Sequence, residues 1–131
     1  MKFRGIFILL LCLFLKPGLS VGEINESLQQ KLNAKPDTNK VKALSDLCFE
    51  YRLVSADSAL MFGEMALELA NVLNYPKGVA QAYNDLGIIY MDKANYRKAT
   101  NLLNEAMKLR QQLNDLPGQA SLYNKFGIID H

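Results

Sequence analysis

The chain repeats itself with a period of forty residues, and no other feature limits its fold as much. Residues 78–89 (GVAQAYNDLGII) lie over residues 118–129 (GQASLYNKFGII), and seven of the twelve positions are identical. The same shift sets Ala59 on Ala99, Ala66 on Ala106, Leu69 on Leu109, Leu73 on Leu113 and Asn74 on Asn114. An earlier copy of the first element appears at a shift of thirty-nine, with Ala43 on Ala82, Asp46 on Asp85, Leu47 on Leu86 and Tyr51 on Tyr90. The one-residue difference falls in the turn around 52–57, where a deletion is cheap. Self-similarity of this length is the signature of an array of stacked units.

Each unit reads as two helices. Leu44, Leu47 and Tyr51 stand at i, i+3 and i+7, and Tyr83, Leu86, Ile89 and Tyr90 follow the same spacing. The second elements carry Ala59/Phe62/Ala66/Leu69/Leu73 and Ala99/Leu102/Leu103/Ala106/Leu109/Leu113. This is an apolar stripe of helical period, not strand alternation. Asp37 and Thr38, Ser55 and Asp57, and Asn95 are N-cap candidates, and Lys108 and Arg110 sit where a helix C-terminus favours cations. Tyr75-Pro76-Lys77-Gly78 and Leu116-Pro117-Gly118 read as stops. Helices are therefore predicted over 24–34, 39–53, 57–74, 78–92, 95–114 and 118–130. The first of them, with Ile24, Leu28 and Leu32 on one stripe and Pro36 beyond it, is expected to cap the first unit.

Small residues show how the helices meet. Gly87 offers no side chain, so the next helix can come close, with Ala99 and Ala106 as its small partners; Tyr83, Leu86, Tyr90 and Leu103 fill the remaining space. Met61, Met65, Met91 and Met107, at helical spacing, are expected to fill gaps. No pair buries its whole stripe alone, and stacked neighbours do.

The pattern Tyr83-x2-Leu86-Gly87-x2-Tyr90-x8-Ala99-x3-Leu103-x2-Ala106 resembles the tetratricopeptide (TPR) repeat. The first unit matches it more weakly through Leu44, Leu47, Cys48, Tyr51, Ala59 and Ala66. The third keeps Tyr123, Phe126 and Gly127, with Asp130 where the family has Tyr. The family's unit is about 34 residues; here six more extend the second helix through residue 116. With its Asp37-Thr38-Asn39-Lys40-Val41 segment, the chain also resembles the exported N-terminal TPR regions of bacterial sensor histidine kinases and regulators. The resemblance implies an all-α, right-handed α-solenoid of TPR-like helix pairs, about two and a half repeats behind a leading helix. The domains expected are a signal peptide over 1–20, a leading helix and linker over 21–37, and a repeat domain over 38–131. Its units are 39–77, 78–117 and an incomplete 118–131.

The first twenty residues read as an address. Lys2 and Arg4 precede an unbroken apolar run from Ile6 to Leu15, and Gly18 and Ser20 stand at −3 and −1 of a cut after Ser20. Ten helical residues rise about 15 Å, half a hydrocarbon core, so a permanent span is poorly supported. Cleavage makes the product exported and periplasmic, attached to a membrane only if a longer chain follows. It also removes three cations and no acid, leaving twelve Lys+Arg against thirteen Asp+Glu. The formal +2 of the whole chain thus becomes −1, and no field that would seek nucleic-acid phosphates remains. Cys48 is the one cysteine left, so packing and not a disulfide must hold the fold. Because Cys48 falls on the Gly87 position of its unit, it reads as a small buried packing residue.

Catalytic constellations are not found. There is no phosphate loop, CxxC, HExxH or GxSxG, and the one histidine is His131. Glu64 and Glu68, one helical turn apart, have no base beside them and read as a solvated face. The expectation is a non-enzyme with no cofactor, no metal and no nucleic-acid partner.

One surface remains for function. In TPR arrays the first helix of each unit lines a concave groove. The resemblance carries the groove positions to Lys42, Ser45, Phe49 and Arg52 in the first unit, and to Gln81, Asn84, Ile88 and Met91 in the second. In the half unit they are Ser121, Asn124, Ile128 and His131. Such a groove, with amides for a backbone, apolar side chains and two cations at one end, suits an extended peptide or a partner's helix. The repeat-packing set is Tyr83, Leu86, Gly87, Tyr90, Ala99, Leu103, Ala106, Tyr123 and Gly127. The helix over 118–130 keeps Gly127 with Ile128 and Ile129 beside it. A capping helix should be polar outside, so self-association through this helix, or truncation of a longer sensor protein, is expected. The function expected is therefore a protein- or peptide-binding scaffold, the alternative being the sensor front of a membrane histidine kinase or other regulator.

Overall fold

A computed structural model describes residues 26–130, all helix and turn without a strand. The signal-peptide reading, Ile24 and His131 lie outside the described residues. The helices are α1 (Glu26–Asn33), α2 (Thr38–Tyr51), α3 (Ala56–Val72), α4 (Pro76–Asp92), α5 (Tyr96–Gln112) and α6 (Leu116–Ile129). The described residues fall into two units that divide between Ala34 and Lys35. The first contributes α1, eight residues with Leu28 and Leu32 buried on one face. The second holds α2 to α6.

Local chemistry sets the helix starts. Asp37, Ser55, Asn95 and Asp115 each accept a hydrogen bond from the backbone N–H three residues on, at 3.0–3.3 Å. The α4 N-cap, Tyr75, makes no such bond. The proline motifs read as stops are starts instead: Pro76 and Pro117 occupy the first two positions of α4 and α6. A proline lacks only an N–H that is unsatisfied there anyway, and its φ suits the helix. What stops the helices are Asn74, Ala94 and Asn114, each two residues past a helix end, which hold left-handed φ of 49°, 57° and 54°. At each, the next N–H reaches back to the carbonyl five residues earlier at 2.9 Å: Tyr75 to Ala70, Asn95 to Tyr90, Asp115 to Arg110. These Schellman closures satisfy the last carbonyls and let the next helix begin at once. The turn after α2 lacks one. There Val54 and Ser55 both donate to the Tyr51 carbonyl, at 3.0 and 2.8 Å, at the site of the one-residue difference between repeats.

From α2 onward each helix packs on the next, and α2 also touches α4. First helices therefore neighbour first helices, as in a TPR-like solenoid. The stripe residues are inside: Phe62, Leu44, Leu47, Ile89, Leu103 and Leu122 are the largest fully buried side chains. The rings of Tyr51 and Phe62 meet tilted, centroids 5.2 Å apart. Met61, Met65 and Met107 are buried and Met91 is half-buried.

Two close approaches show how the repeat is kept while its residues change. A Cβ on Gly87 would lie 2.7 Å from Leu103 Cδ2 and 2.9 Å from its Cγ. In the first unit the sizes are exchanged. Cys48 takes the Gly87 position and Gly63 the Leu103 position, and a Cβ on Gly63 would meet Cys48 Sγ at 3.2 Å and Leu86 Cδ2 at 2.7 Å. In each pair one helix supplies the bulk and the other the gap.

The end of the stack departs from the packing expectation. Tyr123 is 61% exposed, and a Cβ on Gly127 would meet nothing within 4 Å. In the second unit the corresponding residues differ: Tyr83 is half-buried against Leu103, Ala106, Met107 and Leu122, and Gly87 is buried under α5. The face that α5 covers on α4 has no described helix over it on α6.

Candidate functional site

The first-helix face is built from α2, α4 and α6, and its centre is Asp85. Asp85 is buried on α4, with Oδ1 accepting from Gln81 Nε2 at 2.7 Å and from Asn84 Nδ2 at 3.3 Å. Oδ2 accepts a hydrogen bond from the Ser45 hydroxyl of α2. The Ser45 and Asn84 assigned to an open groove are thus both buried and turned to this carboxylate. The Ser45 hydroxyl and one amide N–H of Asn84 are engaged inside the protein, so these two are not the free peptide-facing donors expected. Gln81 is half-buried and engaged on both sides, since its Oε1 accepts from Arg110 Nη2 at 2.8 Å.

A second link joins the same helices one end further on. Arg52 clamps Asp92, Nε to Oδ2 at 2.5 Å and Nη2 to Oδ1 at 3.3 Å. Both side chains are about one-third exposed, so the pair is worth at most about 1 kcal/mol. Its role is alignment, and it removes Arg52 as a free cation for a ligand. Asp92 and Asp85 had no place in the sequence-based site. The signal was available in the period, because each lies forty residues from its partner, Arg52 or Ser45.

The remaining groove positions are distributed as follows. Lys42 and Phe49 are exposed on α2, and Phe49 is 63% exposed with the Arg52 guanidinium 5.7 Å from its ring centre. Ile88 and Met91 are half-buried on α4, Met91 packing into the α5–α6 cluster. Ser121, Asn124 and Ile128 are exposed on α6, and Ser121 accepts a 2.8 Å bond from Lys125. Between α2 and α4 lies a depression of about 320 Å³ lined by Ser45, Asp46, Phe49, Glu50, Gln81 and Asp85.

Arg110 is not a surface cation at a helix end. It is buried, with Nη1 on Asp115 Oδ2 at 2.6 Å and Nη2 on Gln81. The Gly118 amide, and then Arg110, hold the Asp115 carboxyl below the usual carboxylate range. The corresponding corner one unit earlier has Ala70 for Arg110 and Tyr75 for Asp115, so an aromatic ring fills there what an ion pair fills here.

Burial pushes the pKa of Asp85 above the ordinary range, against the hydrogen bonds of Ser45, Gln81 and Asn84 and the charge of Arg110. The folded state then holds this proton more firmly than the unfolded chain. The Asp85 contribution to stability is therefore most favourable below the unfolded value, about pH 4, and declines as pH rises through the folded value. Asp85→Asn is expected to remove that decline. Asparagine keeps Oδ1 for Gln81 and Asn84 and presents Nδ2 to Ser45, whose hydroxyl can accept. Urea titrations from pH 4 to 8 check it: the variant should gain on the wild type as pH rises, and a constant difference would refute it.

Cys48 is fully buried, and burial first, then the Asp85 charge, pushes its thiol up to about 12. Such a thiol is a packing group, not a nucleophile. Glu64 and Glu68 are exposed on α3. No three His, Cys, Asp or Glu side chains among the described residues come together as a metal set would require.

Comparison with known proteins gives one match. A family model described as the SusR N-terminal TPR domain covers residues 22–117. No curated protein and no solved structure matches the chain. No helix among the described residues is long and apolar enough to cross a membrane.

Proposed function

The chain belongs to the family of SusR N-terminal TPR domains, and on that premise we propose that it is an exported, non-catalytic scaffold holding a protein or peptide partner on its first-helix face. TPR domains are protein-interaction scaffolds in general, and the family is generally non-catalytic. Export is supported by the cationic, apolar and small-residue order of the first twenty residues.

The observation that carries the binding reading is Phe49. A large aromatic ring, 63% exposed, stands at the rim of the α2–α4 depression on a face whose inner polar groups are already satisfied. An exposed ring over a shallow apolar and polar hollow is the usual anchor for a partner side chain. Ile128, 66% exposed on α6, offers a second apolar contact. Lys42 stands at the N-terminal end of α2. On this reading Asp85 and the Arg52–Asp92 clamp hold α2 and α4 in register and touch no ligand.

Peptides selected against the wild-type protein from a random display library test this. Phe49→Ala is expected to weaken their binding by about tenfold or more, measured by calorimetry, with the helical spectrum unchanged. Selected peptides indifferent to both Phe49→Ala and Ile128→Ser would remove this face from the account. Sedimentation of Ile128→Ser beside the wild type, at several concentrations, reads self-association through α6. A second reading is favoured by the family's description as an N-terminal domain: the same face serves as the sensor part of a longer signalling regulator. Reading the encoding DNA past the codon for His131 distinguishes the two. An apolar run of about twenty codons followed by kinase or regulator motifs would favour the sensor.

A further inference from the structure

We propose that α6 is the interface of a two-fold dimer, in which it pairs antiparallel with α6 of a second copy of this chain. Leu116, Ala120, Tyr123 and Gly127 are all exposed, and their spacing of four, three and four keeps them on one face of the helix. Leu116 is 72% exposed and Tyr123 61%, and a Cβ on Gly127 would meet nothing within 4 Å. The stripe mixes two large residues with two small ones, and their order selects the occupant.

A two-fold axis makes an interface self-complementary, so that if residue i touches residue j of the partner, j touches i. Let that axis pass beside the peptide bond between Ser121 and Leu122, with the helices antiparallel. Leu116 then lies as far before the axis as Gly127 lies after it, and Ala120 as far before it as Tyr123 after it. Leu116 faces the partner's Gly127, and Tyr123 faces the partner's Ala120. Every facing pair sets one large side chain against one small residue, which is how close-packed helices interdigitate. A parallel pair would set each residue on its own copy, with ring against ring at Tyr123 and a gap at Gly127.

The chain already packs this way within itself. α5 returns along α4 from the tight turn after Asp92, and Leu103 fills the space over Gly87. Gly127 is the Gly87 position of α6, so the partner's Leu116 takes the part that Leu103 plays one unit earlier. Nothing electrostatic opposes the contact. Lys125 is the one charged residue within α6, and it is half-buried and bonded to Ser121. Two such faces, with Ile128 at their margin, cover on the order of 1,000 Å², the low end for a specific complex, so the dimer is reversible and micromolar. The interface is distinct from the depression at Phe49 and does not depend on the peptide-binding reading.

Sedimentation equilibrium of the purified chain, processed after Ser20, tests this. Between about 5 and 500 µM the mean mass should rise toward twice that of one chain. Gly127→Leu places its side chain in open space in the single chain, so the fold is untouched. In the pair it meets the partner's Leu116, and association should weaken about tenfold or more. The double variant L116A/G127L exchanges the sizes and again gives each pair one large and one small residue. It should return association to within about threefold of the wild type. Phe49→Ala should leave the dimer as it is, and helical circular dichroism should be the same for all. A monomer throughout that range would overturn the proposal and leave the face to a helix of another protein or of a longer encoded chain. A dimer indifferent to Gly127→Leu, one weakened equally by Phe49→Ala, or no recovery in the double variant would overturn it as well.

Discussion

Phe62→Ala is expected to destabilise the repeat region by about 3–5 kcal/mol, the range for a fully buried aromatic. Phe62 is 0% exposed in the middle of α3, its ring tilted against Tyr51, with Ala59 and Ala66 buried one turn to either side. Small residues on both sides leave the truncated site little to collapse with, which places the cost toward the upper end. For a region of this size the melting temperature should fall on the order of 15 °C. Phe62→Leu keeps most of the volume and should cost less than about 1.5 kcal/mol. Urea denaturation followed by helical circular dichroism reads both. A loss below about 1 kcal/mol for Phe62→Ala would mean that the α2–α3 interface is not packed as described.

The second large effect is at Gly87 and Leu103. Leu103 is fully buried and fills the space that Gly87 leaves on α4. Leu103→Ala should therefore cost about 2–5 kcal/mol. Gly87→Ala would ordinarily help a helix by about 1 kcal/mol. Here the new methyl would stand 2.7 Å from a Leu103 methyl that is enclosed on every side, and the expected outcome is a net loss of about 1–3 kcal/mol. The informative measurement is the double variant. With Leu103 truncated the added methyl has room, so the two losses should fall short of their sum by at least about 1 kcal/mol. Strict additivity would show that the helices do not meet through this pair.

The repeat made most of this fold legible. Period, apolar stripe and cap residues are all local signals, and they located every helix from α2 onward to within a few residues. Misreadings came where a side chain's partner lies far along the chain. Arg110 near a helix C-terminus reads as a dipole partner in water; only the packed structure brings Gln81 and Asp115 to it and buries it. Ser45 and Asn84 are small polar residues at groove positions, and nothing local shows that Asp85 draws both inward. Pro76 and Pro117 break a helix and also begin one. Asn74, two residues before Pro76, and Asn114, three residues before Pro117, are what separate the two meanings. The exposed Tyr123 carries the right residue in the right frame, but the helix that covers its counterpart Tyr83 has no described equivalent there. The resemblance to the family was most legible in the second unit, and the family model that matches spans residues 22–117. The face proposed to bind a partner is less legible, because its composition alone does not tell an inward amide from an outward one.

The Ser45–Asp85 and Arg52–Asp92 links each couple one unit to the next with unlike residues at a forty-residue separation. An array of identical bricks could be spliced, lengthened or reordered without loss. This one is keyed, since hydroxyl and guanidinium stand on one module and carboxylates on the other. In a tandem copy of the second module, Asn84 and Met91 would stand where Ser45 and Arg52 stand, so the hydroxyl and the guanidinium would both be missing from the joint. The order of the modules is therefore fixed by their side chains, even though their backbones would accept any order.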